Sequence, residues 1–420
     1  MGFLMRIWIS RELGTMAMGL VELAQSAQML LITPVVSGLP SAISRMCAKE
    51  DARGCQRVLR AGVLLALSAS LPLMLVAFFF REALALWLGD IRTLPALLIY
   101  LPCMPVLGVS CALNGYYYGV GRPVPPALSE LLEQVVRFFL CMRLCALLGD
   151  WPVMLRAAIP AAGAIVGETV GLLLMLFLSL GTLFLPLPGK AAHSRRKTLF
   201  EMLSLALPLT GMRMVTSLMR TVSSTLLPRR LMLSGLSSAQ ALSQLGVMQG
   251  MLMPVLMLPS FVTCSLSSVA APEIARRQAK GLPLKRLARR SLLSALTIGL
   301  LAMGGVVLFA PLFARTFYRQ IELERMLRIS CGMIPLFAMG HVASGLMNGL
   351  GLQGQSLRIS LFSNFLCVLG MYVLPTFPAL RIYGAIASTA SSQAVSLILS
   401  LRALKKEING TNLSQGYTSR

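Results

Sequence analysis

Residues 206–228 read ALPLTGMRMVTSLMRTVSSTLLP, an apolar run that holds two arginines, Arg213 and Arg220. The run is long enough to approach a bilayer span, for which about 20 residues are needed. On a helix, residues seven apart return to the same face within about 20°, so the two arginines form one stripe. Thr216, Ser217, Ser223 and Ser224 fall on or near that face. Met214, Val215, Leu218, Met219, Val222 and Leu226 lie mostly on the other side. An arginine at mid-membrane costs about 2.5–3.5 kcal/mol on insertion scales, so a pair needs compensation. A water-filled cavity that binds something negative supplies it. The stretch predicts a membrane helix with one wet face.

The rest of the chain agrees with a membrane setting. Of 420 residues, 56% are hydrophobic and only 13% are charged, and the mean hydropathy is +0.75. No soluble core needs so many long apolar runs, so the fold class is an all-α polytopic membrane protein. The formal net charge of +23 first suggests nucleic acid. Its basic residues, however, sit mainly in short loops between apolar runs, where the positive-inside rule accounts for them, and no nucleic-acid partner is expected. Nine cysteines are scattered without a C-x-x-C, so neither a disulfide framework nor a metal site is expected. There is no histidine cluster, paired aspartates, P-loop or G-x-S-x-G, so an enzyme and a cofactor are not expected either.

Residues 1–13 look like the end of a helix too short to span, an incomplete first span. Further spans are expected near 17–40, 57–80, 93–118, 126–149 and 155–186. A second group follows near 199–227, 240–270, 288–313, 325–349, 356–378 and 382–403, giving about 12 transmembrane helices in all. Basic segments at 44–60, 190–197, 276–290 and 402–406 all fall on one side of this topology, which places both termini in the cytoplasm. The expected organisation is a six-helix lobe over 1–188, a basic cytoplasmic linker over 189–198, a six-helix lobe over 199–406, and a disordered polar tail over 407–420.

A shift of about 230 residues superposes two blocks. Residues 105–121 (PVLGVSCALNGYYYGVG) match residues 335–351 (PLFAMGHVASGLMNGLG), with Pro105, Gly115, Gly119 and Gly121 recurring as Pro335, Gly345, Gly349 and Gly351. Residues 40–45 (PSAISR) likewise resemble residues 272–276 (PEIAR). The repeat implies two pseudo-symmetric lobes of the same orientation, the architecture of rocking, alternating-access transporters with substrate between the lobes. The repeated G-x-x-x-G has a simpler role in close helix packing.

Other polar groups interrupt the spans. Glu22, Gln25 and Ser26 share one helix face. Glu130, Glu133, Gln134 and Arg137 form a stripe at i, i+3, i+4 and i+7. Glu133 and Arg137 either neutralise each other as an internal ion pair or act in transport. Glu168 is a single carboxylate that either binds a proton or pairs locally. The candidate cavity residues are Arg213, Arg220, Ser217, Glu22, Gln25, Glu130, Glu133 and Arg137.

Several stretches carry a family likeness: residues 37–45 (SGLPSAISR), 114–127 (NGYYYGVGRPVPPA) with Glu133 and Gln134, 207–231 (LPLTGMRMVTSLMRTVSSTLLPRRL) and 246–268 (GVMQGMLMPVLMLPSFVTCSLSS). Together they resemble the stage V sporulation protein B branch of polysaccharide and lipid-linked-oligosaccharide exporters. More distantly, the chain is similar to lipid II flippases and to multidrug and toxin extrusion transporters. The resemblance implies a two-lobed flippase that moves undecaprenyl-pyrophosphate-linked saccharide, a peptidoglycan precursor for spore cortex or cell wall, across the bacterial cytoplasmic membrane. It implies membrane lipids as partners and H+ or Na+ as a coupling ion. Arg213 lies where that family often has arginine, whereas Arg220 rests on its helix position. Family members often carry two further C-terminal helices that this sequence does not include. Two other readings stay open: a cation-coupled multidrug exporter, and a non-transporting membrane scaffold in spore or cell-wall assembly.

Overall fold

The computed structural model describes residues 2–184 and 195–417, with side chains described for 2–180 and 197–409. Every regular element among them is helical. The first part contains α1 (Gly2–Leu13), α2 (Thr15–Val36), α3 (Leu39–Cys47), α4 (Ala52–Phe79), α5 (Cys103–Gly119), α6 (Val124–Leu147) and α7 (Ile159–Phe184). Next comes α8 (Arg195–Leu233), followed by α9 (Ser260–Ala279), α10 (Lys285–Pro311), α11 (Met333–Gly349), α12 (Gln353–Val373) and α13 (Arg381–Tyr417). Shorter helical turns lie between them. Gly14, at φ 80°, breaks α1 from α2 in a left-handed conformation that a side chain would strain.

Among the described residues, seven helices are long and apolar enough to cross a membrane, or up to 10 if three helix pairs bent by 42°, 52° and 55° each count as one span. Where they are described, the apolar runs expected from 17–40 through 382–403 are predominantly helical, some broken by a short turn. The helix α6 is absent from that set because it holds Glu130, Glu133, Arg137 and Arg143. The chain is thus a multi-pass, all-α membrane protein.

Two local expectations are corrected. Residues 195–198 open α8 rather than belonging to a linker, while 189–194 lie outside the described residues. Residues 407–417 continue α13 rather than forming a disordered tail, and 418–420 lie outside the described residues. Packing carries α13 past residue 406: Leu397, Leu404 and Ile408 are buried in one core with Ala288, Val342 and Leu346. Elsewhere, Gln240 caps its own helix in a capping box with Ser237.

Contacts divide the chain into compact units at Met1–Thr225 and Leu226–Arg420. The division falls inside α8 and not at 189–198, because the front of α8 packs with what precedes it. Met202 and Ala206 are buried with Leu39, Ala42, Ile43 and Val58. Gly38 lies so close to α8 that a Cβ there would collide with the Ala206 carbonyl.

Inside each unit the repeated glycines do the same job. A Cβ on Gly115 would sit 2.7 Å from the backbone oxygen of Pro40, and one on Gly119 2.9 Å from the Ser44 oxygen, so α5 lies directly on α3. Gly345 and Gly349 hold α11 against Ser267 and Ala271 of α9 in the same way. Gly121 and Gly351 follow at φ 72° and 75°. The G-x-x-x-G is a packing device. Gly119→Ala and Gly349→Ala are expected to destabilise the protein by about 1–3 kcal/mol each. Gly354→Ala, with nothing within 4 Å of the added carbon, serves as the neutral control. Unfolding of the purified variants in detergent checks this. A Gly349→Ala protein as stable as the control would contradict the packing role.

Candidate functional site

The polar residues of the first unit are positioned by three helix contacts. The helix α1 packs against both α2 and α6. Trp8 meets Phe138 edge-on, with ring centroids 6.3 Å apart. Arg156 donates from Nη2 to the carbonyl of Leu13 at 3.0 Å, satisfying the end of α1. So placed, Arg6 of α1 makes an ion pair with Glu22 of α2, whose side chain is only 11% exposed.

The second contact is between α6 and α7. Gly163, Gly167 and Gly171 recur every four residues on one face of α7, where only glycine fits. A Cβ on Gly167 would lie 2.9 Å from the Glu133 carbonyl oxygen. Ser129 donates from its hydroxyl to the Gly171 carbonyl at 2.9 Å. This approach carries Glu168 to within 3.7 Å of Arg137. Arg137 also pairs with Glu133 one turn back on its own helix, and Gln134 donates to the same Glu133 carboxylate at 3.4 Å. Arg6 and Arg137 against Glu22, Glu133 and Glu168 leave one formal negative charge more than positive, in a region of apolar helices.

The third contact joins α2 to α8. Thr221 donates from Oγ1 to the carbonyl of Ser26 at 2.9 Å and to that of Ser217 at 3.1 Å. Thr221 is buried, whereas Arg213 and Arg220 are exposed. Helix geometry puts Ser217 between the arginine stripe and Thr221, and it is accordingly half-buried. Neither Arg213 nor Arg220 has an ion pair among the described residues. At 39 residues, α8 is about 58 Å long, so both arginines lie well inside it.

The expected cavity residues therefore fall into two sets. Glu22, Glu133 and Arg137 are tied up in ion pairs, while Arg213, Ser217 and Arg220 line an open face. Gln25 is half-buried beside Ser26, and Glu130 is exposed near the start of α6. Two partners lay outside that list. Glu168 was visible as a lone carboxylate, and the glycines before and after it signalled the close approach that brings it to Arg137. Arg6 sits in a stretch, GFLMRIWI, that reads as an incomplete span, yet a lone arginine among apolar residues was itself the signal.

The sequence also matches a known pattern. Residues 1–278 fit the model of the family described as polysaccharide biosynthesis protein. The chain belongs to the polysaccharide biosynthesis protein family. Residues 208–373 match the MatE family model as well. Among curated relatives, stage V sporulation protein B of Bacillus subtilis (strain 168) is 27% identical, over 97% of this chain and 80% of that protein. Sporulation protein YkvU of the same organism is 23% identical, over 91% of this chain and 86% of that one. Solved structures show the same fold. An inward-facing multidrug resistance MATE family transporter of the MOP superfamily aligns at a TM-score of 0.79 with 16% identity, covering 98% of this chain and 94% of its own. The lipid II flippase MurJ in an inward closed conformation aligns at 0.71 with 14% identity, covering 98% and 90%. The family is thus that of polysaccharide biosynthesis proteins, and the fold is the one these solved structures share.

Proposed function

We propose that this polysaccharide biosynthesis family member is a flippase for a saccharide linked to a lipid pyrophosphate, undecaprenyl pyrophosphate as the resemblance to lipid-linked-oligosaccharide exporters implies, and that it works by alternating access in the bacterial cytoplasmic membrane. The observation that carries the proposal is the exposed stripe of Arg213 and Arg220, two guanidiniums with no ion pair among the described residues on a membrane helix. Such a stripe requires an anion and water. A guanidinium grips a pyrophosphate through paired, charge-assisted hydrogen bonds, and does so best where water is scarce. Ser217, beside the stripe, offers a hydroxyl to the same headgroup. The lipid tail stays in the bilayer while the headgroup crosses.

The excess carboxylate around Arg137 supports a coupling role, with Glu168 as the seat for H+ or Na+. The basic segments support a topology with both termini in the cytoplasm. The rival reading, a cation exporter, calls for free carboxylates, but Glu22 and Glu133 are held by arginines and the open face is positive. Proteoliposomes carrying the purified protein separate the two. A fluorescent pyrophosphoryl lipid is expected to become accessible to an external quencher, with no transport of an organic cation such as ethidium. Ethidium transport without lipid movement would overturn the proposal.

A further inference from the structure

In the second unit, α10 and α13 flank a cavity of about 390 Å³ with opposite chemistry at its two ends. Lys285, Arg289, Leu292 and Leu296 line it from α10 at intervals of four, three and four residues, which is one continuous helix face. Lys405 and Leu401, one turn apart on α13, line it too. The cations therefore gather where α10 begins and α13 approaches its end, and the leucines run from there into the apolar part of both helices. From Lys285 to Leu296 the stripe extends about 16 Å.

All three cations are exposed. None has an ion pair among the described residues, and no acidic side chain lines the cavity. Packing alone explains the leucines on a membrane helix. It does not explain three uncompensated positive charges converging on the mouth of an apolar trough. Basic pockets between membrane helices at the cytoplasmic side suit anionic lipid headgroups, and the segment 276–290, which runs from the end of α9 into α10, carries seven basic residues.

We propose that this groove binds one anionic phospholipid of the surrounding leaflet, its phosphate held by Lys285, Arg289 and Lys405 and an acyl chain laid along Leu292, Leu296 and Leu401. The site uses none of the residues assigned to cargo, so it stands or falls separately from the transport proposal. Each cation near the surface favours an anionic over a zwitterionic headgroup by about fivefold.

The test equilibrates the full chain in nanodiscs containing equal amounts of phosphatidylglycerol and phosphatidylcholine, then identifies the lipid retained after detergent extraction. The unaltered protein is expected to retain phosphatidylglycerol at least about fivefold over phosphatidylcholine. The Lys285→Ala, Arg289→Ala, Lys405→Ala triple variant is expected to retain the two alike. Because these side chains are exposed, its melting should match the parent, which separates lost binding from lost folding. In a second readout, Leu292→Trp fluorescence should be quenched by phosphatidylglycerol with brominated chains, and less so once the three cations are removed. Equal retention by the unaltered protein, unchanged selectivity in the triple variant, or release of the lipid by inorganic phosphate alone would overturn the assignment. So would stronger retention of undecaprenyl pyrophosphate than of phosphatidylglycerol, since the groove would then belong to the cargo path.

Discussion

Replacing Arg213 and Arg220 together by alanine is expected to abolish transport of the pyrophosphoryl lipid while leaving the protein folded and inserted. Both side chains are exposed and neither has an ion pair among the described residues. Truncation therefore orphans no structural partner, and stability should move by less than about 0.5 kcal/mol. Binding is another matter. A hydrogen bond to a charged group is worth about 1.5–3 kcal/mol, so each single replacement should weaken headgroup binding by about tenfold to a hundredfold. Lysine at either position keeps the charge but loses the planar fork, and should recover only part of the loss. Headgroup affinity of the purified variants, set beside their melting curves, checks both halves of the expectation. A double variant that still binds and flips at the parental rate would remove α8 from the substrate path.

Arg137→Ala should act in the opposite sense, on stability first. Arg137 is the only described cation paired with Glu133 and Glu168, and the three side chains are 21%, 13% and 15% exposed. Removing it leaves two carboxylates facing each other in a poorly hydrated setting. Loss of one partner from such a cluster costs about 3–5 kcal/mol, enough to deplete folded protein in the membrane. Adding Glu133→Gln and Glu168→Gln removes the stranded charges and should restore most of the yield. Folded yield and melting temperature of the single and triple variants decide the matter. An Arg137→Ala protein as stable as the parent would show that the cluster does not hold α6 to α7.

How much of this was legible beforehand follows from the kind of interaction involved. Spans and repeat were legible, because bilayer thickness imposes a length and a composition on every crossing helix, and because Gly115, Gly119 and their counterparts Gly345 and Gly349 recur at one shift. The i,i+4 pairing of Glu133 with Arg137 was legible too, since helix geometry alone brings them together. Contacts between helices were not. The pairing of Arg6 with Glu22 depends on how α1 lies between α2 and α6, and the arrival of Glu168 at Arg137 depends on three glycines on a different helix. The ends of α8 and α13 were misread for a related reason. Local polarity at 195–198 and 407–417 suggested linker and tail, whereas helix continuation is decided by the core behind it, as Leu404 and Ile408 show. The arginines of α8 stood out for a different reason: arginine is so costly in lipid that two of them inside an apolar run call for water or an anion beside them.

The central claim is that the face of α8 bearing Arg213 and Arg220 lines a water-filled cavity occupied by a lipid pyrophosphate. The most direct test is thiol accessibility at Ser217→Cys, between the two arginines, in a chain whose native cysteines are replaced. A membrane-impermeant thiol reagent is expected to label this position, and a soluble pyrophosphoryl lipid analogue is expected to slow labelling while an organic cation does not. A cysteine that stays unreactive under every condition, or labelling indifferent to the pyrophosphoryl lipid, would contradict the account.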